Sequence, residues 1–174
     1  MKIIEIVDEK VDFALELVLF EQWLRFYFIT EKDGELYLDV PAPVYGQLEK
    51  DLPDLFPVAK ALNGQIIDHQ AALAALSESM LSDRARLNSG QWAEILGGVE
   101  FHINLEVMSF WVQSRESELD EQNLSFPAWK ELFLAWRRSP EVEDYAARIR
   151  AEKRRAEAGE GAMETAGERP GGLN

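Results

Sequence analysis

The apolar stretch of residues 11–29 constrains the fold more than any other part of the sequence. A membrane-spanning helix needs about 20 almost uninterrupted apolar residues. Here Glu16, Glu21, Gln22 and Arg25 interrupt the run, and charges at the centre of a bilayer are costly. The polar side chains also change sides along the helix, which is typical of a helix covered by different neighbours on different faces. The stretch therefore predicts a central core helix rather than a membrane span.

A second long helix is predicted over residues 91–117. Its apolar side chains cover most of the circumference, and its polar ones fall on one narrow stripe. The pair Gly97–Gly98 weakens the first half of this helix and permits a bend. We predict that Ser89 caps its N-terminus, because a serine side chain can accept a hydrogen bond from the first turn.

Helical periodicity predicts shorter helices around these two. They are expected near residues 45–52, from Pro57 to Met80, from Phe126 to Trp136 and from Pro140 onward. Lys32-Asp33-Gly34 is a turn signal, and residues 35–40 then alternate apolar and polar side chains like a half-buried strand. Residues 2–7 are its obvious partner. The predicted fold class is all-α, an irregular bundle of five or six helices around two buried central helices, with the option of a small two-stranded ribbon.

The domain organisation follows from the composition of the C-terminus. Residues 156–174 contain five glycines and only two large apolar residues, Met163 and Leu173. Such a segment cannot bury enough surface to offset the entropy lost on ordering. We therefore predict one helical domain over residues 1–156 and a disordered, glycine-rich tail over residues 157–174.

The charge of the chain restricts its partners. Its 18 Lys and Arg residues face 32 Asp and Glu residues, a net charge of −14 at pH 7, whereas nucleic-acid binding relies on many cations. Residues 137–155 are basic and could form a partner-binding arm, although a solvated helix end is the simpler interpretation. No signal-peptide pattern is found, which predicts a cytoplasmic protein. We expect neither a nucleic-acid nor a membrane partner.

The motif content argues against most enzyme classes. The chain has no cysteine, which excludes disulfides, thiolate metal sites and cysteine nucleophiles. It also lacks the phosphate-binding loop, the dinucleotide fingerprint and the nucleophile elbow. We therefore favour a non-enzymatic protein and expect no cofactor.

The histidines support an alternative hypothesis. His102 and Glu106 are four residues apart, which places an imidazole and a carboxylate on one helix face. Together with His69, Glu16 and Glu21 they would resemble the inward ligands of a di-metal helix bundle, although the repeated Glu-x-x-His pair of that class is absent. The simpler interpretation is a core histidine at position 69 and a surface pair on the later helix. A helical-bundle metal-binding protein or enzyme is therefore the alternative function.

Aromatic side chains are the leading candidates for a binding site. The residues in question are Trp23, Tyr27, Trp111, Trp129 and Trp136. Large rings at helical spacing usually fill a core, but they can also line a groove whose acidic rim steers a basic segment towards it. Trp129 and Trp136 follow a polar loop and are expected to be the most exposed. The predicted function is a chaperone- or adaptor-like protein that binds a protein or peptide partner; pairing as a homodimer would leave the same composition.

Residues 100–112, with the sequence EFHINLEVMSFWV, resemble one helix of the redox-enzyme maturation chaperones. That helix carries an acidic residue, a histidine, a glutamate and a methionine. Glu100 and Phe101 stand where the chaperone helix has proline and aspartate. The family consists of acidic, cytosolic, all-helical proteins that bind the leader peptides of molybdenum enzymes. The resemblance covers thirteen residues and implies a chaperone-like binding role.

Overall fold

A computed structural model of the protein describes residues 9–65, 74–75 and 88–167. Within these ranges the chain forms seven helices and one two-stranded antiparallel sheet. The helices are α1 (Glu9–Tyr27), α2 (Ala42–Asp51), α3 (Phe56–Leu62), α4 (Ser89–Gly97), α5 (Val99–Gln122), α6 (Phe126–Trp136) and α7 (Pro140–Gly167), and the strands are β1 (Ile29–Lys32) and β2 (Glu35–Leu38). The predicted all-α bundle with a small ribbon is confirmed.

Helix α1 is the central core helix that its sequence predicts. Leu17, Phe20 and Leu24 are completely buried, and each such side chain contributes about 1.5–3 kcal/mol by leaving water. Glu21, one of the residues that interrupt the apolar run, is buried with them. The helix packs against α5 and α6 and leads into β1. None of the described helices combines the length and the apolar character that crossing a membrane requires.

The helix predicted over residues 91–117 is in fact two helices. Gly98 is extended, with φ −69° and ψ 136°, and separates α4 from α5. A Cβ at this position would lie 3.2 Å from the carbonyl oxygen of Ile95, so the glycine permits a close backbone approach at the break. Asn88 caps α4 instead of Ser89. Its side chain accepts a hydrogen bond from the backbone of Gln91, whose side chain accepts one from the backbone of Asn88, a reciprocal capping box.

The strand over residues 35–38 is confirmed, but its partner is not the predicted one. Strand β2 pairs with β1, and the register places Ile29 opposite Leu38. Asp33 and Gly34 form the turn with φ values of 54° and 80°, as a two-residue type I′ hairpin requires. Helix α1 consequently ends two residues before residue 29. Residues 2–7, the predicted partner, lie outside the described ranges.

The helix predicted from Pro57 to Met80 is interrupted after Leu62, and of its later part only Ala74 and Ala75, both helical, lie within the described residues. Helix α3 ends at Leu62, and Gly64 reverses the chain with a φ of 76°. The backbone of Gly64 then donates to the carbonyl of Leu38, and the side chain of Asn63 accepts from the backbone of Val40. The turn therefore anchors the ribbon to α3. His69, further along the predicted helix, lies outside the described residues.

The last helix, α7, packs on α5 through one apolar stripe. Val142, Ala146 and Ile149 are buried at a spacing of four and three residues, which places them on one face. From residue 150 to residue 159 every side chain is exposed or half-buried. The helix continues past the predicted domain end at residue 156 to Gly167. The domain boundary and the disorder over residues 157–174 stay predictions.

Candidate functional site

Three of the five aromatic residues predicted to bind a partner lie inside the core. Trp23, Trp111 and Trp129 are only 6%, 2% and 0% exposed, and none of these rings lines either of the two grooves described below. The expectation that Trp129 is among the most exposed is wrong, because α6 inserts this ring between Tyr27 of α1 and Trp111 of α5, with centroids 6.2 Å and 4.9 Å away. We define the inner aromatic cluster as Phe20, Trp23, Trp111, Phe126 and Trp129.

Tyr27 lies at the edge of the inner aromatic cluster and is held there by hydrogen bonds. Its hydroxyl donates to the carbonyl of Leu119 at 2.7 Å and accepts from the backbone N–H of Leu124 at 3.2 Å. The indole of Trp23 donates to the carbonyl of Leu124 at 3.0 Å. Burial raises the pKa of Tyr27, and the hydrogen bond from Leu124 opposes the rise. The side chains of Tyr27 and Trp23 therefore hold the last turns of α5 and the segment that connects it to α6.

Three other aromatic rings meet where α5, α6 and α7 come together, and they remain half-buried. Phe110 stacks on Tyr145 with centroids 4.6 Å apart and planes 19° from parallel. Trp136 lies 5.9 Å from Phe110, and the guanidinium of Arg148 lies 5.9 Å from the ring centroid of Tyr145, within cation–π range. We define the outer aromatic cluster as Phe110, Trp136 and Tyr145. Of the predicted binding residues, Trp136 is the one that belongs to it.

A groove of about 430 Å³ lies beside the outer aromatic cluster. We call it the α5–α7 groove, although α1 also lines it. Its apolar lining consists of Val18, Leu105, Met108 and Phe110, and its polar lining of Gln22, Glu106, Ser109, Gln113 and Tyr145. The sequence contains a signal for Phe110 that the prediction missed. Neighbouring residues of a helix point about 100° apart, so Phe110 and Trp111 cannot both face the same partner.

A second groove, of about 380 Å³, lies between α1 and α6. We call it the α1–α6 groove. Its floor is apolar and consists of Phe13, Leu15, Leu19, Met108, Phe133 and Leu134, and its rim carries Asp12, Glu16, Lys130 and Arg137. Nζ of Lys130 lies 3.2 Å from Oε2 of Glu16, so an ion pair joins the two helices across the rim. Met108 lines both grooves, which places them on either side of one core residue.

Two of the residues predicted as metal ligands form ion pairs. Glu16 pairs with Lys130, and Glu106 pairs with Lys153 at 3.3 Å. His102 is exposed on α5. Within residues 9–65, 74–75 and 88–167, no group of three or more His, Cys, Asp or Glu side chains could hold a metal ion. His69 lies outside these ranges, so its part in the metal hypothesis stays a prediction.

The basic stretch of residues 137–155 helps to hold α7 against α5. Nε and Nη2 of Arg150 lie 3.0 Å and 2.7 Å from Oε1 of Glu100, and Nη2 lies 2.6 Å from Oε2. The guanidinium thus engages both carboxylate oxygens. Lys153 pairs with Glu106, three residues further along α7 and six residues further along α5. Two cations of this stretch therefore have a structural role.

Comparison with known proteins finds no family model, no curated protein and no solved structure that matches the chain. The segment of residues 100–112, which resembles the maturation chaperones, forms the first half of α5. Its Phe101, Ile103 and Val107 are buried, while His102 and Glu106 are exposed. An amphipathic helix of this kind is a common core element, so the function has to be argued from the grooves.

Proposed function

We propose that this protein is a non-enzymatic, chaperone- or adaptor-like binding protein whose α5–α7 groove receives an apolar segment of a protein or peptide partner. The outer aromatic cluster is the observation that carries this proposal. Trp23, Trp92, Trp111 and Trp129 are buried, whereas Trp136 stays half-buried beside Phe110 and Tyr145. Large rings that are partly exposed next to a groove are typical anchors of protein interfaces.

The lining of the α5–α7 groove suits a peptide. Phe110 and Tyr145 form one wall and offer a large contact area with little side-chain entropy to lose. Met108, at the apolar side, is a flexible residue that adapts to different shapes. Ser109 and Gln113 are exposed along the same groove, and their side chains can donate to and accept from a peptide backbone.

The partner that we propose is a protein with basic residues flanking an apolar segment. A net charge of −14 attracts basic segments at long range and repels acidic ones. The apolar segment would enter the groove, while the flanking cations would remain in the surrounding negative field. We place this activity in the cytoplasm. A second copy of the chain is the competing occupant of the groove.

Site-directed cross-linking tests the proposal, because the chain has no cysteine of its own. Gln113→Cys carries a photo-activated cross-linker into the α5–α7 groove. Glu131→Cys carries the same reagent on the exposed surface of α6 and serves as the matched control. In a lysate of the native host we expect a discrete adduct from position 113 and none from position 131. Combining Phe110→Ala with Gln113→Cys should abolish the adduct because it removes the Phe110 half of the aromatic wall.

Three outcomes contradict the proposal. Identical adducts from both positions would mean that the reagent reports only surface collisions. An adduct that survives Phe110→Ala would mean that the outer aromatic cluster does not bind the partner. An adduct with twice the mass of the chain would replace the proposed partner with a second copy, and light scattering of the wild-type protein would then show a dimer.

A further inference from the structure

Arg137 is a cation of the α1–α6 groove that no acidic side chain of the described chain neutralises by contact. It follows the last residue of α6 and is half-buried among the residues that line the groove. Lys130, the other cation of the rim, is occupied by Glu16. Among the residues that the structure describes, none forms an ion pair or a side-chain hydrogen bond with the guanidinium of Arg137.

The half-burial of Arg137 favours an anion that contacts the guanidinium directly, although Asp12 and Glu16 stand on the same rim and the chain as a whole is acidic. Burial lowers the pKa of Arg137, Asp12 opposes this effect, and Arg138 adds to it. The guanidinium nevertheless keeps its charge at neutral pH. A charge that is partly removed from water without a contacting counterion is costly, and an anion that enters the groove would offset that cost.

We propose that the α1–α6 groove binds a medium-chain aliphatic carboxylate, with the carboxylate on Arg137 and the tail on the floor formed by Leu15, Leu19 and Phe133. This site is separate from the α5–α7 groove and goes beyond the function proposed for it. A volume of about 380 Å³ lies within the range of about 300–1,000 Å³ that small-molecule sites occupy. Such sites combine an apolar lining with a few polar groups that orient the ligand.

The chemistry of the two ends of the groove selects this class of ligand. The planar fork of a guanidinium matches both oxygens of a carboxylate, which a lysine ammonium does not. Leu15, Leu19 and Phe133 line the groove, and their hydrocarbon side chains offer only apolar contacts. Because each buried methylene is worth about 0.8 kcal/mol, every two carbons added to the tail should tighten binding by about tenfold until the groove is filled.

Calorimetric titration of the full chain with octanoate tests the proposal. We expect saturable binding at one site, with hexanoate about tenfold weaker. Arg137→Gln should weaken octanoate binding at least about tenfold, because hydrogen bonds to charged groups are the strong ones. The neighbouring Arg138→Gln is the matched control, since Arg138 is exposed and does not line the groove. Arg138→Gln should change the affinity for octanoate by less than about twofold, because exposed charges contribute little.

The uncharged analogue 1-octanol provides a comparison that needs no substitution, so the test does not depend on the folding of a variant. On the wild-type protein it should bind at least about tenfold more weakly than octanoate. Binding of 1-octanol as tight as that of octanoate, binding unchanged by Arg137→Gln, or no saturable binding of octanoate would each overturn the proposal. Phe110→Ala should leave octanoate binding intact, which separates this site from the α5–α7 groove.

Discussion

The inner and outer aromatic clusters contain the same kinds of ring but are held in different ways. The inner cluster is buried, and Tyr27 ties its edge to the turn between α5 and α6 by two hydrogen bonds. The outer cluster is half-buried, and the helix that carries Tyr145 is fastened to α5 partly by the Arg150–Glu100 and Lys153–Glu106 ion pairs.

The two kinds of attachment differ in strength. A buried tryptophan or phenylalanine contributes several kcal/mol, whereas an exposed ion pair contributes about 0.2–1 kcal/mol. The region around α1 therefore carries most of the stability that large side chains provide. The surface between α5 and α7 is the region where a bound segment would disturb the fold least, because less of the core depends on it.

The largest expected effect comes from removing a ring of the inner cluster. Trp129→Ala should lower the free energy of unfolding by about 3–5 kcal/mol, because it leaves a cavity between α1 and α5. Trp136→Ala, in the outer cluster, should cost about 1 kcal/mol because the ring is only half-buried. Urea unfolding followed by far-ultraviolet circular dichroism measures both. Equal losses would show that the two clusters do not differ in the way described.

A smaller effect is expected from the Tyr27 hydroxyl. Tyr27→Phe should cost about 1–3 kcal/mol, because the backbone N–H of Leu124 loses its partner and the carbonyl of Leu119 keeps only the hydrogen bond from Asn123. Tyr145→Phe is the matched control in the outer cluster. It keeps the stacked ring and should change the stability by less than about 0.5 kcal/mol. The same unfolding measurement compares the two variants, and a greater loss in Tyr145→Phe would reverse the comparison.

The stability of the inner cluster should also depend on pH. An unfolded chain ionises its tyrosines near pH 10, whereas burial raises the pKa of Tyr27 in the folded protein. The stabilisation of the folded state that accompanies this raised pKa is therefore fully present below about pH 10. It decreases above about pH 10, because the unfolded state then binds fewer protons than the folded state. The wild-type urea midpoint should fall more steeply above about pH 10 than that of Tyr27→Phe. Burial also raises the pKa of Tyr45, so Tyr45 accounts for part of the pH dependence that remains in Tyr27→Phe.

The smallest effect is expected at the ion pairs that fasten α7. Arg150→Gln should lower the free energy of unfolding by about 0.2–1 kcal/mol at low salt, and by less in about 1 M salt because its partner Glu100 is exposed and salt screens the pair. Arg154→Gln is the control, because Arg154 is on the same helix and exposed. Its effect on the free energy of unfolding should be the same at low and at high salt. A loss at Arg150 as large as that at Trp129 would mean that the outer region is held as firmly as the inner one.

Much of the fold could be predicted because local signals place its elements. The apolar run of α1, the turn at Asp33–Gly34 and the start of α6 with Pro127 in its first turn all agree with the structure. The break at Gly98 was anticipated only as a bend, since a glycine pair weakens a helix without saying whether it ends there. The sequence does not reveal the partner of β2, because the apolar residues 2–7 suggest a strand, while the first helix is predicted to reach residue 29 and Lys32 is assigned to the turn, which leaves no room for β1.

The candidate sites were less predictable, because a groove forms between residues that are distant in the sequence. Arg137 was grouped with the basic stretch by charge alone, although its surroundings come from α1 and α6. Trp129 was expected to be exposed because it follows a polar loop. Its burial depends on contacts with Tyr27 and Trp111, about 100 and 18 residues away in the sequence, respectively, and periodicity within one helix does not report such contacts.

The amino-acid sequence by itself determined the helical class, the turn of the ribbon and the starts of the last two helices, because these depend on interactions between close neighbours along the chain. Only the tertiary structure decided which rings are covered. Phe110 and Trp111 are adjacent and both aromatic, yet Trp111 is enclosed by α6 while Phe110 is left half-buried against α7. A helix turns successive side chains about 100° apart, and the packing of distant helices determines which direction is closed to water.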